Sequence, residues 1–363
     1  MFIIFALYIY AFTVSFALSL LLVPFFRWVA IRQKILAYPH EARLHSEPIP
    51  LLGGVGLVLS FYITIVVHYV IVICFPHSLA NIIPGELLPF LHGILKTAIQ
   101  LSVVLLCGII IFFLGLLDDL KTIGPKRKIF FQILIGIILY YHNIRITLFF
   151  GDGIMSLCLT IFWIVAITNA FNLLDNIDGL SSGIAIIASI ILLILCIQGQ
   201  QLLVSLLLTI LIGSLLGFLR YNYPPAKIFM GDAGSLFIGY ILSVLTIMST
   251  FYYDTSLSVI PFISPLLIFA VPIYDTLSVV IIRMRNNKSI FTGDKNHFSH
   301  RLLRLGMSTK ETILVIYLVS LCLGISALTL SNTDLKSQII VLIQSAGILS
   351  IIYLLERVKN KDH

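Results

Sequence analysis

The chain has 363 residues, of which 59% are hydrophobic and 11% charged, and its formal net charge is +7. Soluble domains are about one quarter charged. With a mean hydropathy of +1.08, this composition excludes a soluble globular protein and makes lipid the solvent for most of the chain. Apolar runs of roughly 17 to 25 residues read as membrane spans. In chain order they fall at 3–26, 53–75, 97–117, 129–141, 154–170, 179–198, 201–219, 234–251, 258–282, 311–330 and 337–355. The expected fold class is all-α, a polytopic integral membrane protein with about eleven transmembrane helices, several of them short. No fixed-period repeat, low-complexity linker or long polar stretch interrupts the spans, so residues 1–363 read as one transmembrane domain.

The first span has no basic residue before it, and the first positive charge, Arg27, lies on its far side. It reads as a retained signal-anchor. With the N-terminus outside, twenty of the 23 Lys and Arg residues fall on the inner side, and Lys96, Arg145 and Lys336 are the outer three. The positive-inside rule then puts the C-terminus in the cytoplasm. This basic inner surface accounts for the net charge with no nucleic acid as partner, and it suits anionic lipids and phosphorylated substrates. Cys74, Cys107, Cys158, Cys196 and Cys322 lie in or at the ends of apolar spans without metal-ligand spacing and read as small packing residues.

The inner connections hold the unusual chemistry. The third span ends in Gly115-Leu116-Leu117-Asp118-Asp119, and the fifth runs into Asn169-Ala170-Phe171-Asn172-Leu173-Leu174-Asp175-Asn176-Ile177-Asp178-Gly179. The eighth follows Gly231-Asp232-Ala233-Gly234-Ser235. Aspartates thus converge on one membrane face. An Asp at a helix N-terminus often only caps it, which suits Asp178 or Asp232. Asp118 and Asp119 resist that reading, because they sit at a helix C-terminus and adjacent carboxylates repel unless a cation or proton intervenes. Hard cations such as Mg²⁺ are held by one or two carboxylates plus substrate phosphates. The Gly231–Ser235 segment adds backbone N–H groups for a phosphate, and Lys128 adds positive charge. The last polar loop carries His297, His300 and Arg301, where two histidines at i and i+3 beside an arginine suit an anion. Asp275 lies inside the ninth span, where an acid is costly and functional by default.

These residues resemble the polyprenyl-phosphate N-acetylhexosamine-1-phosphate transferase family, which includes WecA-like enzymes and MraY-like translocases. Six blocks match in the family's order. They are Arg43-Leu44-His45-Ser46-Glu47-Pro48 with Gly53-Gly54; Asp118-Asp119 with Pro125, Lys128 and Gln132; Asn169/Asn172/Asp175/Asp178; Gly231–Ser235; Pro272–Asp275; and Asp294–Leu302. Two positions depart from the pattern. Asn176 stands where a glycine is usual between the two aspartates, and Ser299 replaces a histidine of a His-x-His-His-Arg pattern. The His triplet followed by Phe-Glu that marks the peptidoglycan translocases is absent, which favours the WecA-like branch.

The resemblance implies transfer of N-acetylhexosamine-1-phosphate from a UDP-N-acetylhexosamine, UDP-GlcNAc in the first instance, to polyprenyl phosphate. The products would be polyprenyl-diphosphate-linked sugar and UMP, the first step of a cell-envelope glycan, at the cytoplasmic face of the cell membrane with Mg²⁺ or Mn²⁺. A phosphomonoester's second pKa is near 6, so at neutral pH the lipid phosphate is mostly dianionic and needs little help from a base. Direct attack is therefore expected, with Asp119 and Asp232 at the metal and Asp118 near the nucleophile. Asp178, grouped with these as catalytic, joins Asn172 and Asp175 in placing nucleotide and cation. Arg43, His45, Lys128, Asp275, His297, His300 and Arg301 complete the substrate-binding set. A homodimer stays open. The competing readings are an MraY-type phospho-N-acetylmuramoyl-pentapeptide transferase and, more distantly, a secondary transporter. Transporters place ion sites near the bilayer midplane, often between repeats, whereas these acids crowd one face. A structural membrane scaffold would have no use for the acids at all.

Overall fold

A computed structural model of the chain describes residues 2–38, 47–74, 93, 95, 97–147, 151–249, 263–289, 296–330 and 333–358. Arg43, His45 and Asp294 lie outside the described residues. The helices are α1 (Phe2–Arg32), α2 (Gly53–Cys74), α3 (Ala98–Leu120), α4 (Pro125–Tyr141), α5 (Ile154–Leu174), α6 (Leu180–Gln198), α7 (Leu202–Asn222), α8 (Gly231–Met248), α9 (Ser264–Ile268), α10 (Ala270–Arg285), α11 (Phe298–Arg304), α12 (Thr309–Leu330) and α13 (Leu335–Val358). Two short strands, β1 (Leu36–Ala37) and β2 (Ile49–Pro50), pair antiparallel with Leu36 opposite Pro50. The molecule is a multi-pass membrane protein built almost wholly of helices.

Among the described residues nine helices are long and apolar enough to cross a membrane, where the sequence predicts about eleven. The other two predicted spans are helical but fall short. α4 has 17 residues and opens with Pro125-Lys126-Arg127-Lys128, so its apolar part is shorter still. The 258–282 run, described from residue 263 onward, is broken into a five-residue α9 and a 16-residue α10. The break follows Ile268, whose carbonyl would receive the N–H that Pro272 lacks.

α8 is the central helix. Every residue from Ala233 to Thr246 is buried, as expected of a helix that is apolar on all sides. It packs against α3, α5 and α2, while α1 lies along α7 and α2, and α6 bridges α7 and α12. Leu21, Ile343 and Leu354 on the outer helices remain exposed, a lipid-facing pattern. Only Cys107 and Cys196 are buried; Cys74, Cys158 and Cys322 are exposed, so the packing role expected of all five holds for two.

Two close backbone approaches fix the end of the bundle where the acids lie. A Cβ on Gly115 of α3 would fall 2.6 Å from the Ala233 nitrogen, and one on Gly54 of α2 would fall 2.6 Å from the Gly234 Cα. Small residues are what allow membrane helices to touch so closely. The N–H groups of Gly53 and Gly54 donate to the Phe229 and Met230 carbonyls at 2.9 Å, and Phe229 N–H donates to Pro50 at 2.8 Å. The starts of α2 and α8 and the end of α3 therefore form one unit, with Asp118, Asp119 and Asp232 on it.

Candidate active site

Asp119, in the last turn of α3, accepts the Asp232 N–H on Oδ1 at 2.8 Å and the Ala233 N–H on Oδ2 at 3.0 Å. Those are first-turn donors of α8 that have no partner within their own helix. Asp119 thus caps a neighbouring helix. This reverses the expectation from sequence, in which Asp178 or Asp232 would cap and Asp119 would not. Gly179 and Met230 occupy the N-cap positions of α6 and α8, with no side-chain cap bond at either. The positive end of α8 accepts whichever anion is nearest, and the contact at Gly115 brings Asp119 there. Gly231 has φ +70°, and a Cβ there would stand 2.9 Å from the Asp119 carboxyl carbon, so both its backbone and its bareness are required.

Asp118 accepts the Ile123 N–H on Oδ1 at 2.7 Å, and its Oδ2 lies 2.8 Å from Lys128 Nζ. The same ammonium also bonds Asp232. Pro125 opens α4 after Gly124, which has φ +86°, and this turn carries Lys128 back over the end of α3. Lys128 is only 13% exposed, so solvent screens these ion pairs weakly. Asn172 donates to Ser235 Oγ at 2.9 Å and contacts Asp232. Asn169 donates to Gln132, tying α5 to α4.

A cavity of about 650 Å³ opens beside this cluster. Asp119, Asp175, Asp178 and Asp232 line it, together with Arg27 and Lys227. Asp175 caps the C-terminus of α5, and Asp178 Oδ2 accepts the Ala226 N–H at 2.8 Å. Desolvation pushes the Asp175 carboxyl up to about 8, and the charges of Asp232, Asp119 and Asp178 push the same way. Arg27 and Lys227 were not among the predicted site residues. Arg27 Nε donates to the Lys227 carbonyl at 3.0 Å across 200 positions of sequence, a pairing no local motif announces. Asn222 also borders the cavity, accepting the Gly179 N–H and donating to Ile228.

The remaining predicted residues form a second, buried cluster that does not line this cavity. Asp275 is 1% exposed; its Oδ2 is bonded to His297 Nδ1 at 2.8 Å, and its Oδ1 accepts the Phe298 N–H at 2.6 Å. The acid within α10 therefore anchors the start of α11 and orients His297. Arg301 donates to Ser278 Oγ at 2.7 Å, and the His300 ring centroid lies 6.3 Å from that of His297. The two clusters are joined where Ser299 donates to Asn176 at 2.6 Å.

Among the described residues, no group of three or more His, Cys, Asp or Glu side chains converges as a cage for a metal ion. A cation shared with substrate phosphates needs fewer protein donors. The four cavity aspartates fit that case: they are hard oxygen donors whose repulsion a cation would relieve.

Residues 101–250, which include Asp118, Asp119, Asp175, Asp178 and Asp232, match the sequence model of Glycosyl transferase family 4. Over 333 residues the chain is 32% identical to the probable undecaprenyl-phosphate N-acetylglucosaminyl 1-phosphate transferase of Bacillus subtilis, covering 90% of this chain and 85% of that one. It is 29% identical over 316 residues to the decaprenyl-phosphate N-acetylglucosaminephosphotransferase of Mycobacterium leprae, covering 80% and 75%. Similarity to the phospho-N-acetylmuramoyl-pentapeptide-transferase of Streptococcus agalactiae is 39% over 160 residues, but covers 40% of this chain and 48% of that relative. The matches that run through most of the chain are thus to WecA-like enzymes. With the aspartate cluster seated in the matched segment, the chain belongs to glycosyl transferase family 4, the polyprenyl-phosphate N-acetylhexosamine-1-phosphate transferases.

Proposed function

We propose that this phosphotransferase moves N-acetylglucosamine-1-phosphate from UDP-GlcNAc to undecaprenyl or a similar polyprenyl phosphate and releases UMP. An oxygen of the lipid phosphate attacks the donor phosphorus that bears the sugar. The bond from that phosphorus to the UMP oxygen breaks, and a lipid diphosphate results. The observation that carries this reading is a cavity with five carboxylates, Glu47 and four aspartates, and two cations, Arg27 and Lys227, at one end of a lipid-embedded bundle. An anionic diphosphate suits the cationic wall, and the acidic wall suits a divalent cation.

Asp119 and Asp232 would hold Mg²⁺ or Mn²⁺. Each Asp119 oxygen keeps a lone pair beyond its backbone hydrogen bond. The metal, when bound, supplies charge neutralisation at the transferring phosphoryl group. Lys128, held by Asp118 and Asp232, adds a fixed positive charge beside it. Asp175 and Asp178 border the nucleotide, with Asn172 keeping Asp232 in place. Asp275 fixes the start of the segment whose His297, His300 and Arg301 would supply positive charge behind the cavity wall, and Arg43 and His45 would join from the first inner loop.

The test is UMP release by the detergent-solubilised full chain given polyprenyl phosphate and, in parallel, UDP-GlcNAc, UDP-GalNAc or UDP-MurNAc-pentapeptide. UMP should appear with UDP-GlcNAc, require the lipid, and stop when divalent metal is chelated. Comparable turnover of the muramyl-peptide donor would favour the partial 39% relative instead.

The cavity faces the cytoplasm in this reading, with the N-terminus outside. The support is the split of twenty inner to three outer basic residues. A cysteine substituted at Ser46 should resist an impermeant reagent in intact cells, while one at Ser78 reacts. The opposite pattern would invert the topology.

A further inference from the structure

We infer that Asn176 and Ser299 form a latch that holds the His297–Arg301 segment against the cavity wall, and that the two act as one unit in donor binding. This rests on the transferase reading of the site.

Asn176 lines the cavity between Asp175 and Asp178. Its Nδ2 donates to the Leu173 carbonyl at 2.9 Å. A carbonyl has no proton to give, so this bond fixes the amide and turns Oδ1 toward Ser299, whose hydroxyl donates to it at 2.6 Å. Ser299 is 1% exposed, between His297 and His300 at 5% and 6%. The segment around it is thus held at two places: to α10 through Asp275 with His297 and Phe298, and to the cavity wall through Asn176. Only the second contact touches the nucleotide cavity.

Asn176 and Ser299 are also the two residues that depart from the family pattern, and they lie 123 positions apart in sequence. Each makes sense of the other. A glycine at 176 would offer no acceptor, leaving the buried Ser299 hydroxyl without that partner, at the cost of a buried polar group. An aspartate at 176 would accept the hydroxyl but face the Leu173 carbonyl and add a further charge beside Asp175. Asn176 is not among the described residues with positive φ, so its backbone makes no demand for glycine. The amide is the choice that bonds both ways and adds no charge.

Asn176 and Ser299 are positioning residues, and the test is a double-mutant cycle on the solubilised full chain with UMP release as readout. Ser299→Ala and Asn176→Ala should each raise KM for UDP-GlcNAc by about fivefold or more, with kcat within about twofold. The double variant should be no worse than the poorer single one, and Ser299→Thr, which keeps the hydroxyl, should restore most of the affinity. Additive effects, or a loss confined to kcat, would overturn the latch. If the wild-type chain released no UMP with any donor, the transferase reading would fail. The latch would then be decided by hydrogen exchange over 296–304: Ser299→Ala must exchange faster there than wild type, and equal rates would refute it.

Discussion

Asp232→Asn is expected to lower turnover by about 10²- to 10³-fold, the scale on which a preorganised electrostatic group acts, and to raise the Mg²⁺ concentration needed for half-maximal rate. Asparagine keeps the shape of the side chain but removes a charge from a hard-cation site, so metal affinity and rate should fall together. Added Mg²⁺ or Mn²⁺ should return part of the activity. The fold should survive, because the first turn of α8 is capped by Asp119 and not by Asp232. Asp119→Asn makes the contrast. An amide has one accepting oxygen where the carboxylate has two, so one α8 donor loses its partner and stability should fall by about 1 kcal/mol along with activity. Rate against metal concentration, paired with thermal unfolding of both variants, separates the two aspartates. A metal dependence unchanged in Asp232→Asn would remove that residue from the metal site.

That contrast marks the border of what the sequence makes legible. Lipid demands long apolar runs with internally satisfied backbones, so nine of the predicted spans appear as helices long enough to cross. The aspartate blocks are legible because each is local. Their division of labour is not, since it depends on which helix end meets which. Asp119 becomes a cap because Gly115 lets α3 touch the backbone of Ala233. Asp275 reads as a functional, substrate-binding acid from its place in an apolar run, yet its partners, His297 and Phe298, lie 22 and 23 positions away. Arg27 reads as one more inner positive charge until α1 meets the segment before α8. Each of these roles is a contact between elements distant in sequence, and spacing along the chain carries no trace of it.

Asp118→Asn is expected to lower kcat by about 10- to 100-fold, the cost typical of losing a group that orients another, with little change in donor KM. Both Asp118 oxygens are engaged, one by the Ile123 N–H at 2.7 Å and the other by Lys128 at 2.8 Å, and the side chain is 17% exposed. A carboxylate so committed is poorly placed to attack phosphorus. It is well placed to hold an ammonium against Asp232. The substitution weakens that hold, so charge stabilisation in the transition state suffers while the cavity that binds the nucleotide stays intact. If the lipid phosphate attacks directly, no sugar-phosphate adduct forms on the protein, so labelled UMP should not exchange into UDP-GlcNAc in lipid-free enzyme, even with metal present. A covalent route through Asp118 requires that exchange. The measurement is therefore UMP exchange in rigorously delipidated wild type and Asp118→Asn. Acceptor-independent exchange that the substitution abolishes would make Asp118 the nucleophile, and its absence in wild type that turns over normally once lipid is restored leaves the attack to the lipid phosphate.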